Sequence, residues 1–80
     1  METPILTVAE LIRMLERTIS RAVTPDARFA WETDAVLRGK IQALALIGDG
    51  ALPELQGDEH SALTAAIATA DATIADLKVA

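Results

Sequence analysis

The stretch that decides the fold is residues 30–47, AWETDAVLRGKIQALALI. Laid out at 100° per residue, it is apolar on two sides rather than one. Phe29, Val36, Leu37, Ile41, Leu44 and Ile47 fall on one broad side. Trp31, Ala35, Gly39, Gln42 and Leu46 recur on the other at spacings of 4, 4, 3 and 4. One face can bury within the chain; the second calls for another partner. The pattern predicts the middle helix of a small bundle over residues 25–47. Thr24 would cap it, Pro25 suits the first helical position, and Asp26 is favoured near the positive helix end. Gly48-Asp49-Gly50 should stop it. Inside it, Asp34 and Arg38 are spaced to pair, and Gly39 points to a close backbone approach.

Upstream, Thr7-Val8-Ala9-Glu10 is a capping box, with Leu6 and Leu11 placed for a hydrophobic staple. Helix 1 is expected over residues 8–23, with Val8, Leu11, Ile12, Leu15, Ile19, Ala22 and Val23 as its apolar stripe. Arg13, Arg17 and Arg21 stand opposite as a single basic ridge that Arg28 could extend.

Downstream, Pro53-Glu54-Leu55-Gln56 can make one helical turn, with Leu52 and Leu55 plugging the bundle end and Gly57 closing it. Asp58 or Ser61 would then cap a third helix over residues 58–78. Its core seam is Leu63, Ile67, Ala70, Ile74 and Leu77; Ala65, Ala68, Ala72, Ala75 and Val79 recur opposite. A stripe of small residues lets two helices approach closely, although alanine is also simply the best helix former. No stretch alternates like a strand. The expected fold is therefore all-α, one antiparallel three-helix bundle over residues 1–80, which homodimerisation through the outer stripes of helices 2 and 3 could complete.

Eighty residues set one domain at most and place the chain near the lower limit for a core without staples. It has no cysteine and one histidine, so neither a disulfide nor an ordinary metal site is expected. The apolar fraction of 51% is inflated by 16 alanines, leaving an ordinary set of larger side chains for one small core. No basic, apolar leader and no span of membrane length is visible, so the expected setting is cytoplasmic.

The net charge of −5 is unevenly placed: residues 41–77 hold six acids and no Lys or Arg. That half disfavours nucleic acid and could face a basic partner. Asp58-Glu59-His60-Ser61 invites a catalytic or metal reading, but consecutive residues splay around a helix and cannot converge. A triad also needs an oriented base and an oxyanion hole. No phosphate loop is present, since no Lys-Ser/Thr follows Gly48-Asp49-Gly50. The reading is of a non-enzymatic interaction module, an adaptor, assembly factor or inhibitor, with no cofactor and no small-molecule substrate. It would associate with itself or another protein through Trp31, Ala35, Gly39, Gln42, Leu46, Ala65, Ala68, Ala72 and Ala75. A second reading is a nucleic-acid-associated regulator using Arg13, Arg17 and Arg21, which would bind with strong salt dependence. Against it stand Glu10 and Glu16 beside the ridge and the lack of a base-reading helix. A third reading is an acidic inhibitor of a nucleic-acid-binding protein, of the phage or plasmid type.

Overall fold

The computed structural model describes residues 7–77. Leu6, Lys78 and Val79, invoked above for the staple, the helix end and the alanine stripe, lie outside the described residues. The fold is an all-α three-helix bundle: α1 (Val8–Val23), a 3₁₀ turn (Pro25–Ala27), α2 (Asp34–Ala51), a second 3₁₀ turn (Leu52–Glu54) and α3 (Gly57–Asp76). All three helix pairs pack against one another.

α1 forms where its cap requires. Thr7 Oγ1 accepts from the Glu10 amide at 3.1 Å, and the same hydroxyl donates to Glu10 Oε1 at 3.1 Å. A free amide of the first turn is thereby satisfied. Leu11, Leu15 and Ala22 are buried and Val8, Ile12 and Ile19 pack against them. Val23, placed on the stripe by its spacing, is 66% exposed. Thr18 takes an inner position instead, because its hydroxyl donates to the Met14 carbonyl at 2.8 Å and so enters the core satisfied. Thr73 of α3 does the same with Thr69.

α2 begins nine residues later than the sequence pattern suggests. Thr24-Pro25-Asp26 opens only the short 3₁₀ turn, and Arg28 beyond it is extended (φ −74°, ψ 149°). The helix is capped by Thr33, whose Oγ1 accepts from the Val36 amide at 3.2 Å, with Asp34 in its first turn. Its end is also displaced, for the helix runs through Gly48-Asp49-Gly50 to Ala51. The stop is Pro53, which lacks the amide a further helical bond would need.

The close approach is not at Gly39, where a Cβ would meet nothing within 4 Å. It is at Gly48, where a Cβ would lie 3.0 Å from Ile67 Cδ1 and 3.3 Å from Leu63 Cδ1. Leu15, Leu37, Ile41 and Leu63 are the fully buried large side chains, drawn from all three helices. Each contributes about 1.5–3 kcal/mol by burial.

The connector seats Leu52 and Leu55 against the core as its spacing implied. α3 then opens at Gly57 (φ +63°), a backbone conformation that favours glycine. Gln56 precedes it without a side-chain cap, so neither Asp58 nor Ser61 has the capping role expected of it. The seam Leu63, Ile67, Ala70 is buried, with Ile74 and Leu77 packed at its edge.

Candidate functional site

The segment that was expected to be the first turns of α2 is an elbow built around one carboxylate. Glu32 is 6% exposed. Its backbone amide donates to the Phe29 carbonyl at 2.9 Å, and the Phe29 amide donates back to Glu32 Oε1 at 3.0 Å. Two long-range cations complete the set. Arg21 Nε, from the last turn of α1, donates at 2.9 Å, and Lys40 Nζ, from α2, at 2.7 Å. Burial pushes the Glu32 carboxyl up, but the hydrogen bonds from Lys40, Arg21 and the Phe29 amide outweigh it and hold the pKa at about 2.

Arg28 fastens the same elbow to α1. Its Nε donates to the Arg21 carbonyl at 3.0 Å and its Nη2 to the Ala22 carbonyl at 2.7 Å. These are among the carbonyls a helix end leaves unpaired. Its Nη1 also pairs with Asp34 at 2.7 Å. Asp34 therefore pairs with Arg28, not with Arg38 as its spacing suggested, and Arg38 Nε is buried with no hydrogen-bond partner among the described residues.

The product of this bracing is a pair of aromatic rings held at the surface. Phe29 and Trp31 stack with centroids 5.4 Å apart and planes 14° from parallel. Arg21 lies over Phe29 at 5.3 Å and Lys40 over Trp31 at 4.2 Å. Yet Phe29 is 54% exposed and Trp31 62%.

Helical spacing extends the patch. Val36, Lys40, Ala43 and Ile47 lie on one flank of α2 at intervals of 4, 3 and 4, and Met14, Arg17 and Arg21 lie on the facing flank of α1. Arg21 and Lys40 meet at Glu32, and Met14 and Ile47 each lie two turns from that junction on the same flank of their own helix. By that spacing five of the seven exposed large apolar side chains, Met14, Phe29, Trp31, Val36 and Ile47, fall on the α1–α2 side of the bundle.

The structure regroups the sequence candidates accordingly. Trp31 is not on the outer stripe of α2, because it precedes the helix. Ala35, Gly39, Gln42 and Leu46 do form that stripe and are exposed, as are Ala65, Ala68, Ala72 and Ala75 of α3. Among them Leu46 alone is a large apolar side chain, 70% exposed, and it shares a shallow groove with Gln42, Asp71 and Ile74. Ala65 lines a different groove, with Ile12 and Ile19 between α1 and α3. Phe29, Val36 and Ile47 were placed with the core side and are instead exposed.

The arginine ridge is also broken. Arg13 and Arg17 are exposed, but Arg21 is drawn into the Glu32 cluster and Arg28 is spent on the α1 terminus. Asp58, Glu59 and His60 are all exposed at the start of α3. Among the described residues no helix is long and apolar enough to cross a membrane, and no cluster of His, Cys, Asp or Glu could hold a metal. Glu32 was missed as a site residue. Thr33-Asp34, a capping residue followed by a first-turn acid, was the signal that the helix starts there. No family model, curated protein or solved structure matches the chain.

Proposed function

We propose that this protein is a small non-enzymatic interaction module that engages a protein partner through the α1–α2 face, with the Phe29–Trp31 stack as its anchor. The observation that carries the reading is the position of the stack. A buried carboxylate with three donors supports two rings that remain more than half exposed. Buried ion clusters add little net stability, and their best-attested use is to fix one arrangement. Here the arrangement fixed is an exposed tryptophan under Lys40, stacked on a phenylalanine under Arg21, and tryptophan and arginine are among the residue types that dominate interface energetics. Exposed apolar patches on small proteins mark such surfaces.

The alanine stripe of α3 and the Ala35–Leu46 stripe of α2, to which the sequence pattern points for self-association, hold Leu46 as their one large apolar side chain. A nucleic-acid role is less well supported. The arginine ridge it would use is broken, with Arg21 held by Glu32 and Arg28 by the end of α1.

The test is capture from source-cell lysate with wild type and with a Trp31→Ala, Ile47→Ala double variant, each also weighed by sedimentation. Both side chains are more than half exposed, so helicity should be retained. A stoichiometric protein retained by wild type in the presence of nuclease and lost by the variant supports the reading. Equal recovery by both proteins removes it.

A further inference from the structure

Resting on that reading, we propose that the partner presents an acidic amphipathic segment: large apolar side chains that cover the Phe29–Trp31 stack, flanked by Asp or Glu. The charges nearest the rings on the α1–α2 face are cationic, Arg21 over Phe29 and Lys40 over Trp31. Arg17 is exposed and makes no ion pair among the described residues. Arg21 and Lys40 share the single carboxylate of Glu32, which already accepts from both cations and from the Phe29 amide. Two cations on one acid leave a net positive charge beside the rings, and Arg17 adds to it. Glu10 keeps its negative charge while accepting from the Thr7 hydroxyl, but it stands in the first turn of α1, at the end of the helix away from Arg21 and the rings.

This charge pattern also discriminates among occupants. A second copy seated on the same face about a two-fold axis would bring one cationic patch onto another, which is unfavourable. A membrane surface would attract the same cations, but three of them on a chain of net charge −5 give a weak electrostatic anchor. An acidic segment satisfies the cations and buries the rings together.

The experiment pans a random peptide library against the immobilised full chain. Enrichment of sequences that combine Leu, Ile, Phe or Trp with Asp or Glu is expected. The best peptide should lose affinity about tenfold with Arg17→Glu, and fall off with added salt. Arg17 is exposed and makes no ion pair among the described residues, so that variant should fold, which circular dichroism verifies. Arg17→Gln serves as a second, milder variant and should weaken the same peptide. Enrichment of basic or uncharged sequences, no enrichment at all, or an Arg17→Glu variant that binds unchanged would overturn the inference. So would binding to phosphatidylserine vesicles in place of peptide, or a mass that rises with concentration in the absence of peptide. Failure of the underlying reading looks different: acidic peptides would then bind the Trp31→Ala, Ile47→Ala protein as well as wild type.

Discussion

Gly39 and Gly48 lie on the same helix, nine residues apart, and replacing each with alanine separates backbone propensity from packing. In both cases alanine relieves the cost of a helical glycine, about 0.8–1 kcal/mol. At Gly39 nothing stands within 4 Å of the added methyl, so the full gain should appear. At Gly48 the methyl would be pinched between Ile67, at 3.0 Å and 3.3 Å, and Leu63 Cδ1, at 3.3 Å. Leu63 is fully buried and Ile67 nearly so, so neither has open space to retreat into. Overpacking of this kind costs about 1–3 kcal/mol. Gly39→Ala should therefore stabilise by about 1 kcal/mol, and Gly48→Ala should destabilise by about 1 kcal/mol. For a domain of this size each step corresponds to roughly 4–8 °C in Tm. Urea and thermal unfolding followed by helical circular dichroism would measure both. A Gly48→Ala protein as stable as Gly39→Ala would refute the claim that α2 and α3 close on that glycine.

Two further outcomes follow from the core and the elbow. Leu15→Ala or Ile41→Ala should cost about 2–5 kcal/mol, enough to leave a chain of this size largely unfolded by circular dichroism; a loss under about 1 kcal/mol would contradict the burial. Glu32 has a folded pKa of about 2 against an ordinary value of 4.5, so its contribution is fully present above pH 4.5 and drains away as pH falls toward 2. Unfolding of wild type and Glu32→Gln across that window should show the variant with the shallower acid dependence. Parallel curves would show that the carboxylate is not held by its partners.

Much of the bundle was legible because it depends on local chemistry. The Thr7 cap and the single stripe of α1 define that helix without tertiary help. The Leu63, Ile67, Ala70 seam does the same for α3. α2 was misplaced for a physical reason: two explanations compete over residues 25–33. Pro25 and Asp26 are good helix-opening residues, yet the segment resolves into an elbow because Glu32 gathers donors from positions 11 residues earlier and 8 residues later. Such non-local pairing leaves no periodic trace. Trp31 misled because it sits four residues before Ala35, a helical spacing in a segment that is not helical. The apolar count of α2 was right, but its division was not. Gly48 lets the core reach the helix backbone, and Leu37, Ile41 and Ala45 fill the interior without Val36 and Ile47.

The displacement of those side chains to the surface is what creates the α1–α2 face. The most direct test of that face is a nuclear magnetic resonance titration with the captured partner or best peptide. It would follow the Trp31 indole, the only one in the chain, and the methyls of Met14, Val36 and Ile47. Shifts concentrated on these groups, with the alanines of α3 unmoved, are the expected result. Shifts confined to Ala65, Ala68, Ala72 and Ala75, with the indole unchanged, would contradict the account.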